Sequence, residues 1–399
     1  MEFPDLAESK EKITDLFAAE KKIGLDDVVV IASPYRICPL GAHIDHQGGP
    51  VLGMTINAYT LLAFTPTDDG TVRLKSKNYP GEVGFELDRI PETTQSFWGV
   101  YARAAALALQ EAYPIEKGVT GLLDGMLPGC GLSSSASVLL AYLHALAATN
   151  HIRLQPWDYV HLTQRAENKY IGLKNGILDQ TSIVFGRKGY LLHIDTKAEK
   201  VSELPERPGK IRYRILVAYS GYSRELTTSG YNSRVQECRE AAARLSRLAG
   251  SNPARILSDV AKDAFNRYGH KLPADIGRRA NHYFNEVLRV RNGVIAWQEG
   301  SIDVFGQLMF ASCRSSMEQY ECGIQAIYDL QKIVSSADGM LGSRFMGGGF
   351  GGCVVGFVKH DHAAAAAGHI RQAYRKLHPQ VADEAVVYLT DSADGLRFI

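Results

Sequence analysis

The chain has 399 residues, of which 45% are hydrophobic and 22% are charged, and its formal net charge is +1. This length predicts about two domains, and the balanced charge gives no reason to expect nucleic acid or an anionic membrane as a partner. The six cysteines are scattered without a CxxC pair or zinc-like spacing, so free thiols in a reducing cytosol fit best. Since no signal peptide or membrane-spanning run is recognisable, we expect a cytoplasmic protein.

The N-terminal part of the chain predicts one helix followed by strands. Apolar residues among the charges of 5–22 predict an amphipathic helix, and the β-branched run 28–32 predicts a buried strand. Alternating apolar and polar residues then predict four strands, and an alanine-rich helix follows them at 101–112. The four strands are expected at 51–56, 60–65, 71–76 and 83–87.

The segment 34–49 is the first candidate for a site loop. It places Arg36, His43 and Asp45 between prolines and glycines, and such a density of polar groups is typical of functional loops. Taken alone, His43 can also be a structural histidine with satisfied hydrogen bonds.

A second candidate loop, 127–137, lies between a predicted strand at 118–126 and an apolar helix at 138–148. Gly129 and Gly131 precede three consecutive serines, so free backbone N–H groups and the positive end of a helix dipole are available to an anion. The strand, glycine turn and helix are the context that a phosphate loop requires. The alternative is a tight turn followed by a capped helix.

A third glycine turn, after a helix predicted at 155–172, brings Asp179 next to an apolar run. Asp179 is a candidate catalytic base, although an aspartate in this position can also be a helix N-cap. A strand is predicted at 190–194. The charged, proline-containing stretch 197–211 is the best candidate for a connection between domains.

The C-terminal half is predominantly helical. After a strand at 213–219, a glycine-rich segment at 342–355 leads into another strand, and a helix at 361–377 and a strand at 384–389 end the chain. Between these strands the periodicity predicts five helices, at 231–249, 253–267, 274–298, 303–318 and 322–336. We predict two domains, 1–205 and 206–399.

Three of these segments resemble motifs of the galactokinases, a branch of the GHMP kinases. Segment 34–49 resembles their sugar-recognition signature, 127–137 resembles their Gly-Leu-Ser-Ser-Ser phosphate loop, and 346–353 resembles their C-terminal glycine motif. The motifs occur in the family order and the resemblance covers most of the chain. It implies the GHMP kinase fold, an α/β (α+β) architecture of two domains with the active site in the cleft between them.

The resemblance also implies roles for individual residues. Asp179 matches the catalytic aspartate beside the anomeric hydroxyl, and Arg36 matches the arginine that helps to keep this aspartate ionised. Ser135 and Glu167 match the ligands of Mg²⁺, an ion that prefers oxygen ligands. The positions that match the ATP site are Trp98, Gly129, Gly131, Leu132, Ser133, Ser134, Ser135 and Gly348. For Trp98, a core tryptophan remains a rival interpretation.

The sugar site contains the departure that predicts the substrate. His43, Asp45, Gly176 and Tyr231 match sugar-contacting positions, but Ala42 replaces the glutamate that accepts a hydrogen bond from the sugar 6-hydroxyl in galactokinases. Without this carboxylate a uronic acid is tolerated, because like-charge repulsion is removed.

The first signature string and its surroundings are similar to those of galacturonokinases. We expect positive charge from Lys174 or His46 to meet the substrate carboxylate, although Lys174 can also be a solvated surface residue.

The sequence therefore predicts an ATP- and Mg²⁺-dependent sugar 1-kinase that converts D-galacturonate to α-D-galacturonate 1-phosphate. Two alternatives remain open. One is a galactokinase or a kinase of another hexose or uronate, such as glucuronate. The other is a non-catalytic regulator that senses sugar and ATP. We expect small-molecule substrates, no nucleic acid or membrane partner, and a monomer or weak dimer.

Overall fold

The computed structural model describes residues 1–91, 98–207, 209–222 and 230–399. Its first part is a mixed sheet with helices on both faces. The strands are β1 (Val29–Ile37), β2 (Val51–Thr67), β3 (Thr71–Ser76), β4 (Glu82–Glu86), β5 (Gly118–Gly125), β6 (Tyr190–Asp195) and β7 (Lys200–Pro205). The helices are α1 (Leu6–Lys21), α2 (Val100–Gln110), α3 (Ser134–Thr149), α4 (Pro156–Arg165) and α5 (Leu178–Phe185).

Alternation along β1 explains why both faces of this sheet are covered. Val30 and Ala32 pack in the cluster that contains Ile13 and Phe17 of α1, whereas Ile31 packs in the cluster formed with α2 and α3. Successive side chains of a strand point to opposite faces, so one strand supplies both cores.

The second part is an antiparallel sheet packed against helices. Its strands are β8 (Tyr213–Tyr219), β9 (Met340–Phe345), β10 (Cys353–Lys359) and β11 (Val386–Thr390), in the order β11–β8–β10–β9. The helices are α6 (Tyr231–Leu248), α7 (Lys262–Tyr268), α8 (Ala274–Gln298), α9 (Ile302–Glu318), α10 (Gln325–Ser336) and α11 (Ala363–Leu377).

The last strand, β12 (Arg397–Phe398), returns to the first sheet. It pairs with β1, so the order there is β12–β1–β2–β5–β3–β4, with β6 on β2 and β7 on β6. The domain boundary at 205 and 206 stays a prediction. In the described ranges no helix is long and apolar enough to cross a membrane.

A third apolar cluster joins the two sheets. It combines Tyr35 and Met54 of the first sheet with Val217 and Phe357 of the second, all nearly inaccessible to solvent. Cys130, which follows the first glycine of the phosphate loop, is part of the same cluster. This packing fixes the loops that extend from both sheets toward each other.

Several predicted elements are confirmed, and others need correction. The strands predicted at 51–56 and 60–65 are one continuous strand, β2, because the chain stays extended between them and pairs with β1 on both sides of a register shift, at Ile56 and at Tyr59. The helix predicted at 253–267 is helical only as a 3₁₀ turn, Leu257–Asp259, and as α7. In that region the Leu257 amide donates to Gln47 Oε1, at 3.1 Å, and this tertiary contact replaces a helical hydrogen bond.

Four elements were not predicted, one of them β9, whose residues were expected only in part, as the start of a glycine-rich segment. The stretch 197–211 contains β7, which pairs with β6, and Pro208 within that stretch lies outside the described residues. The short helix α5 and the terminal strand β12 are the other two. Both are too short to produce a periodic pattern, and their packing partners are distant in sequence.

Candidate active site

The predicted sugar, phosphate and glycine loops border one cleft between the two sheets. It holds about 700 Å³ of space and is partly open to solvent. All the sequence segments that predicted a site contribute to its walls. The lining residues are Arg36, Cys38, Ala42, His43, Asp45, Ser133, Ser135, Leu173, Asn175, Leu178, Asp179, Tyr231, Arg344, Phe345, Met346, Gly347 and Gly348.

Arg36 and Asp179 form an ion pair inside this cleft. Arg36 is near the end of β1 and only 4% exposed, and its Nε and Nη2 atoms both lie 2.7 Å from Asp179 Oδ1. Asp179 lies in the first turn of α5, while Ile177 occupies the N-cap position, so the N-cap interpretation is wrong. A carboxylate is stabilised there by the helix dipole as well as by the guanidinium.

The phosphate loop is held in an unusual backbone conformation. Ser133, the residue before α3, has a φ of 61°, a left-handed value that costs a non-glycine residue about 1–3 kcal/mol and is frequent at functional sites. The Gly129 amide donates to Ser134 Oγ at 2.9 Å. The buried Ser133 hydroxyl has no hydrogen-bond partner in the described part of the chain, so it is available to a ligand.

The third glycine motif packs directly on this loop. A Cβ atom at Gly352 would lie 2.5 Å from the Cys130 carbonyl oxygen, and Gly352 has a φ of 95°. Only glycine allows this contact without displacing the backbone. The two glycine-rich segments therefore support each other, although they are distant in sequence.

Glu167 is a buried carboxylate beside the cleft. It lies in a π-helical turn, Ala166–Ile171, that follows α4, and such turns are frequent at functional sites. Asn175 Nδ2 donates to Glu167 Oε2 at 2.5 Å, whereas Glu167 Oε1 has no hydrogen-bond partner among the described residues. Burial raises the pKa of Glu167 to about 8, despite the Asn175 hydrogen bond.

Asp45 lies on the sugar-loop side of the cleft. The Leu178 amide donates to its Oδ2 atom at 3.3 Å, and a Cβ atom at Gly176 would lie 2.3 Å from the same oxygen. Gly176 therefore matters because it leaves room for Asp45. Burial, together with the nearby Asp179 charge, raises the pKa of Asp45 to about 6.

The two histidines of the sugar loop are packed around Tyr320. The His43 ring stacks on Tyr320 with centroids 4.6 Å apart, and His46 Nε2 lies 3.0 Å from the Tyr320 hydroxyl. Burial lowers the pKa of His46 to about 3. His46 is therefore neutral near pH 7, and the expectation that it supplies positive charge to the substrate is wrong.

Ala42 is held in place by helix α8. His282 Nε2 donates to the Ala42 carbonyl oxygen at 2.9 Å, and the Gly41 amide donates to Glu286 Oε1 at 2.8 Å. His282 and Glu286 are one helical turn apart and both fully buried. The residue that distinguishes this sugar loop is thus fixed by two buried side chains from the other half of the chain.

Some predicted site residues are not in the cleft wall. The Lys174 side chain is exposed, although its neighbours Leu173 and Asn175 line the cleft. Trp98 is half-buried and donates from Nε1 to the Pro80 carbonyl oxygen at 3.2 Å, beside the core formed with α2 and α3. Other residues of the predicted sites are not part of the cleft lining, namely Gly129, Gly131, Leu132, Ser134, Glu167 and Gly176.

Sequence reasoning did not assign four residues that contribute to this site. Asn175 precedes Gly176, and Arg344 lies just before the third glycine motif, so proximity to a motif was an available signal for both. His282 and Glu286 have no such signal, because a histidine and a glutamate four residues apart are common on helices. Their role is visible only from their contacts with the sugar loop.

The chain matches known families along most of its length. Residues 100–187 match the GHMP kinases N terminal domain, and residues 294–376 match the GHMP kinases C terminal domain. Residues 20–66, which include the sugar loop, match the galactokinase galactose-binding signature.

Individual relatives cover nearly the whole chain. It is 40% identical to a galacturonokinase from Arabidopsis thaliana, over 99% of this chain and 98% of the relative. It is 31% identical to a galactokinase from Roseiflexus sp. (strain RS-1), over 94% of each chain. The crystal structure of Lactococcus lactis galactokinase complexed with galactose superposes with a TM-score of 0.87 and 29% identity, over 96% of this chain and 98% of that one. The chain therefore belongs to the GHMP kinase family and, within it, to the galactokinase-like sugar kinases.

Proposed function

We propose that this sugar kinase transfers the γ-phosphoryl group of ATP to O1 of D-galacturonate, which gives α-D-galacturonate 1-phosphate and ADP. The observation that carries the proposal is the arrangement of the cleft: the Arg36–Asp179 pair lies between a phosphate loop and a sugar loop that has Ala42 where galactokinases have glutamate. The 40% identity to the Arabidopsis galacturonokinase supports the same substrate.

Asp179 is the group that we assign to the sugar hydroxyl. Both guanidinium contacts use Oδ1, so Oδ2 is the oxygen that orients or accepts the O1 proton. The bond from O1 to the γ-phosphorus then forms as the bridging bond to the β-phosphate breaks, and ADP leaves. Positioning and charge neutralisation supply most of the catalysis in such a transfer.

The residues present fit a Mg²⁺ ion. Mg²⁺ prefers oxygen ligands and usually takes only one or two of them from side chains, with phosphates and water completing the shell. Glu167 Oε1 is a buried carboxylate oxygen without a partner in the described residues, and Ser135 supplies a hydroxyl at the cleft wall. When bound, the ion neutralises charge on the phosphates, and these two residues would hold it.

Galactose is the main competing substrate, because galactokinases are also relatives of this chain. Ala42 favours the uronate, since a glutamate about 4 Å from the substrate carboxylate would cost roughly 4 kcal/mol at an effective dielectric of about 20. The test measures ADP release with D-galacturonate, D-galactose and D-glucuronate. We expect the highest kcat/KM with galacturonate, and a clear preference for galactose would overturn the assignment.

The alternative of a non-catalytic sensor is tested with the same assay. We expect Asp179→Ala to lower kcat by about 10²–10⁴-fold, the usual contribution of a positioned acid or base. If the wild type binds ATP and galacturonate but releases no ADP, the sensor interpretation is correct. The cytoplasmic location, the monomeric or weakly dimeric state and the domain boundary stay predictions.

A further inference from the structure

A buried cluster of charges lies behind Ala42, where helices α8 and α9 meet the end of β9. Glu286 is at its centre and is completely inaccessible to solvent. Arg289 Nε lies 2.6 Å from Glu286 Oε2, and Arg344 Nη1 lies 3.9 Å from Glu286 Oε1. Ser312 Oγ lies between Arg344 and Glu286, because it accepts from Arg344 Nη1 at 2.6 Å and donates to Glu286 Oε1 at 2.5 Å.

The charges of this cluster do not balance. Two guanidinium groups share one carboxylate, and these are the ion pairs that the described residues form with Arg289 and Arg344. Burial lowers the pKa of His282, the remaining titratable neighbour, to about 4, so it is neutral near pH 7. Glu286 is ionised, because its pKa is brought to about 2 despite burial, chiefly by the neighbouring Arg289 and Arg344 guanidinium groups. One positive charge is therefore in excess.

The excess charge is next to the residue that distinguishes the sugar loop. The same carboxylate oxygen, Glu286 Oε1, accepts from Ser312 and from the Gly41 amide, and Gly41 immediately precedes Ala42. Arg344 and Ala42 both line the cleft. Of the other carboxylates of the cleft wall, Asp179 pairs with Arg36, and Asp45 accepts from the Leu178 amide and forms no ion pair with the cluster among the described residues. A glutamate at position 42 would supply the missing negative charge, and alanine does not.

We propose that this cluster, acting through Arg344, recognises the carboxylate of a uronic acid substrate, whose negative charge compensates the excess positive charge. The proposal rests on the proposed function and deepens it, because it assigns the selectivity for an acidic sugar to Arg344 and Arg289 rather than to Ala42 alone. A buried arginine that lacks a full counter-charge favours binding of an anion, and charge-assisted hydrogen bonds from arginine to a carboxylate are strong.

The first test varies the substrate and uses only the wild-type enzyme. D-galacturonamide has nearly the same shape as D-galacturonate but no charge, so the two substrates are compared in wild-type enzyme by ADP release. We expect kcat/KM to be about tenfold or more higher for the acid, which corresponds to about 1.4 kcal/mol. Equal values for acid and amide would overturn the proposal. A preference for galactose over both would instead overturn the proposed function.

The protein side of the test uses two neutralising variants. Arg344→Gln and Arg289→Gln each bring the cluster to zero net charge, and we expect each to lower the ratio of kcat/KM for galacturonate over galactose, by about tenfold for Arg344→Gln. Arg344→Lys keeps the charge and should retain most of the ratio. Since Arg289 is 15% exposed, its variant tests the proposal even if Arg344→Gln does not fold.

A matched control separates charge recognition from loss of stability. Arg279 is also a buried arginine of α8, with 1% exposure, but it bonds at 2.6 Å to two carboxylates, Glu237 and Glu321, and it does not line the cleft. Arg279→Gln should therefore destabilise the protein without changing the substrate ratio. The proposal is overturned if the two cluster variants lower the rates for galacturonate and galactose equally, as the control does.

Discussion

At the two ends of the cleft, groups of opposite kind lack a full partner: a carboxyl group at one end and guanidinium groups at the other. At the phosphate end, Glu167 is buried, and one of its oxygens has no partner in the described residues. At the sugar end, Arg344 and Arg289 share the single carboxylate of Glu286. This difference supports the proposals that one end binds a divalent cation and the other binds a carboxylate.

Such imbalances are unfavourable for folding and are therefore informative about function. A buried charge without a counter-charge costs several kcal/mol in principle, and groups with strongly perturbed pKa values cluster at functional sites. Arg279, by comparison, bonds to two carboxylates, Glu237 and Glu321, which also pair with the partly exposed Arg234 and Arg278. Arg279 thus has two carboxylate partners, whereas Arg289 of the same helix shares one with Arg344, and this difference supports the proposal of an anion site at the sugar end.

The largest expected effect comes from restoring the missing carboxylate. Ala42→Glu places a negative charge beside both the substrate carboxylate and the arginine cluster. At an effective dielectric of about 20 and a distance of about 4 Å the repulsion is roughly 4 kcal/mol, so kcat/KM for galacturonate should fall by up to about 10³-fold. Steady-state kinetics on galacturonate and galactose measure this effect.

Ala42→Gln is the matched control, because it adds nearly the same volume without charge. It should lower the rate for galacturonate much less than Ala42→Glu does. If the two variants behave alike, bulk rather than charge at position 42 determines the substrate. Unchanged kinetics in both would mean that the carboxylate does not lie near residue 42.

The second prediction concerns the phosphate end. Glu167→Gln keeps the shape of the side chain and removes its charge, so we expect the Mg²⁺ concentration needed for half-maximal rate to rise by about 10–100-fold, as for other changes at metal sites. Galacturonate binding, measured without nucleotide, should stay unchanged, because the sugar end is intact. A loss of sugar binding in this variant would show that the two ends are not independent.

Two parts of the predicted site, Asp179 and the phosphate loop, could be located from local residues, whereas the pairing of Asp179 with Arg36, 143 residues away, was implied only by the family resemblance. Asp179 and Ser135 lie beside glycine turns that the sequence displays, and the structure places both in the wall of one cleft. Glu167 was expected as a ligand of Mg²⁺, and this role stays a prediction; its π-helical surroundings were expected only as a helix.

The sugar end could be predicted only in part, for a physical reason. Its charge imbalance depends on residues 286, 289, 312 and 344, which come together by packing of distant helices and a strand. Position 42 suggested that an anion is tolerated, but the expected cations were wrong in the case of His46, which burial keeps neutral. Lys174 points to solvent. Whether a charged group has a counter-charge depends on residues that meet only in the folded chain, so local sequence patterns do not show it.

The third prediction tests how Glu167 is oriented. Asn175→Ala removes the hydrogen bond from Nδ2 to Glu167 Oε2. We expect the apparent affinity for Mg²⁺ to fall by about tenfold, which is a small effect for the loss of a residue that hydrogen-bonds to a metal ligand. Asn285→Ala is a suitable control, since Asn285 is a similar amide whose bond, to Asn281 Oδ1, lies within α8. Equal Mg²⁺ requirements in both variants would mean that Asn175 has no part in positioning the ligand.

The smallest expected effect is on stability, and it has opposite signs at the two ends. Burial raises the pKa of Glu167 from 4.5 to about 8, so between these pH values the folded chain holds a proton that the unfolded chain has lost. The folded state therefore loses stability as the pH rises, and the loss is complete above about pH 8. Glutamine does not titrate, so Glu167→Gln does not lose stability in this way. In metal-free buffer its melting temperature should be about 2 °C or more above that of the wild type at pH 8.5, but not at pH 5.

Glu286 is the internal comparison for this last experiment. Its pKa is lowered to about 2 by the surrounding cations, which outweigh burial, so its stabilising effect is present throughout the range from pH 5 to 9 and is lost only in strong acid. Glu286→Gln should therefore lower the melting temperature by a constant amount over that range. Addition of Mg²⁺ and ATP should remove the advantage of Glu167→Gln, because only the wild-type carboxylate then gains its counter-charge. A difference between Glu167→Gln and wild type that does not change with pH would contradict the assignment of an uncompensated carboxylate to the phosphate end.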